Sequence, residues 1–230
     1  MLKTNTKIKL SIVFGLILLI VLIVQPLSRY QSSSRNGAVS NTKVIAQGQL
    51  PLNNRYNDTF VNAVMKDNIL LSLAYLQGNV QNPTQIDWSQ VKKSFHFELT
   101  LQPSETFAFH GLVLDQYKGK VIKTTNSGFS ASEGYKSDGY LFGDGVCHLA
   151  SIINLVARIA KLDVVSPVTH DFAKINDIPK KYGVSIYTNP AAPESSKLQN
   201  LYITNNYHRP IAFVFTYEKN SLQVRVEELN

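Results

Sequence analysis

The chain has 230 residues, 44% hydrophobic and 17% charged, which fits one folded domain and excludes a disordered polymer. Its formal charge is +7, but positions 1–43 hold six basic and no acidic residues, leaving 17 basic against 16 acidic beyond them. The folded part is therefore nearly neutral, and charge gives no support for a nucleic-acid partner. A single cysteine, Cys147, excludes an internal disulfide and a four-thiolate zinc site.

Lys3, Lys7 and Lys9 precede an apolar run from Leu10 to Val24 that only Ser11 and Gly15 interrupt. With its flanks the run approaches the ~20 residues that cross a bilayer as a helix. A cleaved signal peptide is the competing reading, but the run is long for one and Pro26-Leu27-Ser28-Arg29-Tyr30 offers no small-x-small cleavage site. Residues 1–27 are predicted to be a short cytoplasmic tip and an uncleaved single-pass membrane anchor. The carboxy-terminal domain would then lie outside the cell membrane. Residues 28–54, rich in Ser, Asn, Gln and Thr, read as a flexible tether, and residues 55–230 as the extracytoplasmic domain.

Within that domain, Phe60, Val61, Val64, Met65, Ile69, Leu73 and Leu76 recur at helical spacing behind Asp58, a suitable cap. A short helix is expected after Asp87. Phe95 to Leu101 alternates like a half-buried strand and ends at Pro103-Ser104, and Lys120 to Thr124 reads as another strand. Residues 125–145 carry five glycines, a loop long enough to suggest function. A second helix is predicted over Val146–Leu162, followed by strand-like runs near 164–168, 184–188, 201–204, 211–217 and 222–226. The expected fold is a single α+β domain in which a buried central helix starting at the Cys packs on a mainly antiparallel sheet.

Chemistry concentrates at Gly143-Asp144-Gly145-Val146-Cys147-His148. At 100° per residue, Cys147, Ser151, Asn154, Arg158 and Lys161 form the only polar stripe of an otherwise apolar helix. A thiol at a helix amino terminus is a candidate nucleophile, because unpaired N–H groups and the helix dipole favour its thiolate. Asp144 would cap the helix, and Gly143 and Gly145 would let a substrate backbone approach the sulfur. The bland alternative is a small buried apolar residue. Of the five histidines, His170 is the candidate base, and Asp171, Asp177 and Asn200 are candidates to orient it. His148 points about 100° away from Cys147 and is a poor partner for it. No CxxC or HxxxH spacing calls for a metal, and no cofactor is expected.

Several segments resemble the VanW family, named for an accessory protein of vancomycin-resistance clusters. Leu101 to Phe109 is similar to the family's P-G-E-T-F-S-F segment, Gly134-Tyr135 to a G-Y pair, and Gly143 to His148 to G-G-G-V-C-Q. Thr169-His170 falls on the second His of H-P-H-S, and Asn200 to Asn206 with Pro210-Ile211 is similar to D-L-x-F-x-N-N…P-I. Asp144, His148, Val168 and Asn200 depart from the pattern, standing for Gly, Gln, the first His and Asp. The resemblance implies a cell-envelope setting without fixing a reaction. Two functions follow as expectations. One is an anchored thiol acyltransferase or hydrolase acting on peptidoglycan peptides or another envelope amide, with Cys147 as nucleophile and His170 as base. The other is a non-catalytic envelope module that binds wall peptide or a partner protein beside the glycine loop.

Overall fold

In the computed structural model the described residues are 42–171 and 174–230. They form β1 (Lys43–Pro51), α1 (Thr59–Gln77), α2 (Trp88–Val91), β2 (Phe95–Leu101), β3 (Thr106–Ala108), β4 (Val121–Lys123), α3 (Val146–Ile159), β5 (Asp163–Val165), α4 (Pro193–Leu198), β6 (Tyr202–Thr204), β7 (Ile211–Glu218) and β8 (Ser221–Glu228). The α+β class is as expected. One sheet, ordered β1-β8-β7-β2, is antiparallel throughout, and a second is ordered β4-β3-β6-β5 with only β3–β4 parallel. Among the described residues no helix is long and apolar enough to cross a membrane, and the anchor expected over 1–27 lies outside them.

Local chemistry sets the elements. Asp58 caps α1 by accepting from the N–H groups of Phe60 and Val61, and Gly78 ends it in the left-handed conformation. Asp87 caps α2 in the same way. β2 pairs with β7 through the aromatic rows Phe95–Tyr217 and Phe97–Phe215, with ring centroids 5.8 and 5.9 Å apart. The hairpin of β7 and β8 turns through Lys219 and Asn220, both at positive φ.

The tether expected over 28–54 is corrected at its far end. Residues 43–51 are a strand paired along its length with β8, and Leu50 and Leu52 are buried in the core. The Gln47-Gly48-Gln49 stretch looks like loop because the inward position carries no side chain. A Cβ on Gly48 would sit 2.8 Å from Ile152 Cδ1 and 3.0 Å from Val156 Cγ1. Glycine lets β1 lie directly on α3.

α3 is the buried helix expected, with Ile152, Ile153 and Val156 at most 2% exposed. It ends at Ile159 rather than at Leu162, and Ile159 itself is half exposed. Lys161 adopts positive φ just beyond. If β1 is part of the core, Leu50→Ala should lower unfolding stability by roughly 2–5 kcal/mol, measurable by urea denaturation, whereas a tether residue would cost nothing.

Candidate functional site

Cys147 lies in the first turn of α3, whose cap is Gly145 at φ 95° with no side-chain hydrogen bond. Asp144 does not cap the helix as expected. Its carboxylate accepts from Asp138 N–H at 3.2 Å, and burial, with Asp138 nearby, pushes it up to about 6. Nor is Gly145 open to a substrate. A Cβ there would lie 2.8 Å from the Met65 carbonyl oxygen, so the close approach it permits is taken by α1.

The polar stripe of α3 has a defined partner. Cys147 Sγ accepts from Ile186 N–H at 3.4 Å and donates to Ile186 O at 3.7 Å. Ser151 Oγ accepts from Val184 N–H at 2.9 Å, and Asn154 Nδ2 donates to Tyr182 O at 2.8 Å. Arg158 Nε donates to Asn154 Oδ1 at 2.9 Å and completes the row. Three or four helix residues advance about 5–6 Å, and two residues of extended chain about 6.6 Å. Side chains at 147, 151 and 154 therefore stay in step with backbone groups at 186, 184 and 182. The expected strand at 184–188 is extended chain whose partners on this edge are side chains, so it belongs to neither sheet. From the other edge, Ser185 N–H donates to Val168 O and Tyr187 N–H to Gln199 O.

That second edge positions His170. The residue at 183 is Gly, and a Cβ there would meet His170 O at 2.5 Å, so only glycine admits this crossing without a shift. The His170 ring packs edge-on against His148, with centroids 6.2 Å apart and planes at 87°. Both imidazoles are buried, and Tyr56 flanks His148 at 6.4 Å. Burial lowers His148 to about 3, with the Arg55 charge and His170 adding to the effect. Among the described residues His148 Nδ1 has no hydrogen-bond partner.

Arg55 is itself 3% exposed. Its guanidinium binds Asp177 at 2.9 Å and Asn176 O at 2.6 Å, and Asn176 Nδ2 returns to Arg55 O. The structure thus brings together Arg55, Tyr56, His148, His170 and Asp177.

The three residues expected to orient His170 have other places or partners. Asp177 engages Arg55, and Asp171 is exposed beside His170. Asn200, expected as a possible orienter of His170, instead holds the 110–112 turn. It accepts from the N–H groups of His110 and Leu201 and donates to the carbonyls of His110 and Leu112. His110 is fully buried, accepts from Leu112 N–H at Nδ1 and donates from Nε2 to Gln199 O. Burial lowers it to about 4.

Burial is also the main influence on Cys147, pushing the thiol up to about 11 against the helix dipole. Sequence reasoning missed Arg55, because its partner lies more than a hundred residues away. Among the described residues no cluster of His, Cys, Asp or Glu could hold a metal ion. Compared with family models, curated proteins and solved structures, the chain finds no match.

Two consequences can be measured. The unfolded chain protonates its histidines near 6.5, while folded His148 and His110 stay neutral to about 3 and 4. Their contribution is complete above 6.5 and is lost as pH falls below it. Asp144 acts oppositely but alone, favouring the fold below its ordinary 3.8 and losing that benefit as pH rises through about 6. The melting temperature should therefore fall on going from pH 7 to pH 4, and His148→Gln should flatten that slope. Separately, Cys147→Ser keeps a donor and acceptor for Ile186 and should cost under about 1 kcal/mol. Cys147→Ala leaves those backbone groups unpaired and should cost about 1–3 kcal/mol in urea denaturation.

Proposed function

We infer that this chain is a non-catalytic cell-envelope module, held at the membrane by its amino-terminal apolar run and binding wall peptide or a partner protein. The observation that carries the non-catalytic reading is the engagement of its only thiol. Cys147 Sγ is committed in both directions to Ile186 and is pushed up to about 11, so almost none of it is thiolate at neutral pH. A nucleophile needs the opposite shift. A thiol enzyme would have to break the row between α3 and residues 182–186 before reacting.

A groove on the surface supports the binding role. A groove of about 460 Å³ runs between α1, α2 and the start of β2, with Leu70, Val91 and Phe95 along it. Gln77, Gln85 and Gln90 line it with carboxamides, which both donate and accept hydrogen bonds. An apolar floor with amide edges suits a peptide. The envelope setting draws on the apolar run Leu10–Val24 and on the motifs similar to the VanW family.

Alkylation tests the inactive thiol directly, since no other cysteine is present. A rise from 9.0 to about 11 leaves about a hundredfold less thiolate at neutral pH. Iodoacetamide at pH 7 should label the native protein at least tenfold more slowly than the urea-unfolded chain, and His170→Ala should leave the native rate unchanged. A native rate above that of the unfolded chain, reduced by His170→Ala, would restore the thiol-enzyme reading.

A further inference from the structure

The least expected surface feature is the tip of the glycine loop. Tyr140 is 91% exposed, Leu141 66% and Phe142 57%, three consecutive apolar side chains in water. Such runs are selected against on a soluble surface unless they serve a function.

The tip stands on a built support. Ser137 bridges to Phe142, Gly143 N–H donates to Lys136 O, and Gly139 and Gly143 take the positive φ values that a tight reversal needs. Fully buried Asn68 of α1 clamps both feet of the hairpin, donating from Nδ2 to Lys136 O and Asp144 O and accepting from Lys136 N–H. Asp138 accepts from Tyr140 N–H and Asp144 from Asp138 N–H, so both carboxylates are occupied in shaping the turn. Lys136 is drawn down to buried Asp67 and over the Trp88 ring. Polar groups hold the base, and the apex is left apolar.

We propose that residues 140–142 form a finger that inserts into the interfacial region of a lipid bilayer. The inference rests on the membrane tether of the proposed function. Covalent geometry limits the reach from Val24 to Thr42 to about 60 Å, so in a chain anchored by Leu10–Val24 the start of the domain cannot lie further than that from the bilayer. Three side chains are too few for a standard protein interface, which takes roughly 20–30 residues a side. They are also too few to hold a free protein on a membrane, but a tether makes their insertion intramolecular and supplies the missing effective concentration. A Tyr and a Phe flanking a Leu are side chains suited to the polar–apolar boundary of a bilayer.

The test uses the full chain with Tyr140→Trp, reconstituted into vesicles of phosphatidylethanolamine and phosphatidylglycerol with or without brominated acyl chains. The wild type, whose only tryptophan is Trp88, gives the baseline. The added tryptophan should emit at shorter wavelength than in water and lose at least half its intensity to the brominated lipid. Adding Leu141→Ser and Phe142→Ser should return quenching to the baseline. Vesicles that carry the protein without quenching the new tryptophan would overturn the finger and leave the tether standing. Protein that does not float with vesicles would overturn both. A blue shift that follows protein-to-lipid ratio without bromine quenching would assign the tip to a second copy of the chain and overturn the lipid assignment.

Discussion

The structure depends on burying one helix along most of its surface. α3 meets β1 across Gly48 and α1 across Gly145, and its apolar residues fill the space between them. That leaves a row of polar side chains facing inward, and buried polar groups without partners cost about 1–3 kcal/mol each. The fold answers with residues 182–186, whose backbone groups satisfy Cys147, Ser151 and Asn154 one after another. Ser151 and Asn154 are fully buried as a result. A stripe that would be solvent-facing on a surface helix is here an internal seam.

This seam changes the meaning of the lone cysteine. Position at a helix amino terminus argues for a lowered thiol, and desolvation argues for a raised one. Burial prevails at the sulfur, and the charge of nearby Asp144 raises the thiol further, against the Ile186 hydrogen bond that lowers it. At His148 the influences all act in one direction, burial first. His148 and His170 face one another beside the Arg55 guanidinium, and sharing that low-dielectric space with a cation keeps His148 neutral.

The segments that resemble the VanW motifs are engaged in holding the fold. β3, within the Leu101–Phe109 stretch, pairs with β6, within the Asn200–Asn206 stretch. Asn205 ties the two together by donating to Leu101 O and Arg209 O. Gly134 takes positive φ, and the Tyr135 hydroxyl is buried between Ser72 and Ser127. Asn200 secures the His110 turn. In this chain these segments join distant parts of the fold.

The sequence by itself determined those elements whose signals are local. Helices α1 and α2 are read from caps at Asp58 and Asp87, β2 from strict alternation, and the burial of Ile152, Ile153 and Val156 from their spacing on α3. His170 is buried and Cys147 half-buried, and the side of α3 that carries Cys147 is polar as read. Tertiary structure decided everything that depends on what lies opposite. Gly48 reads as loop until Ile152 is seen filling the place of its side chain. Cys147 reads as a helix-terminal thiol with no partner until the Ile186 N–H is seen donating to it. Arg55 carries no signal until Asp177 and His148 arrive from distant parts of the chain. Periodicity and capping are properties of a few consecutive residues, whereas desolvation and hydrogen-bond partnership belong to pairs of residues that only folding brings together.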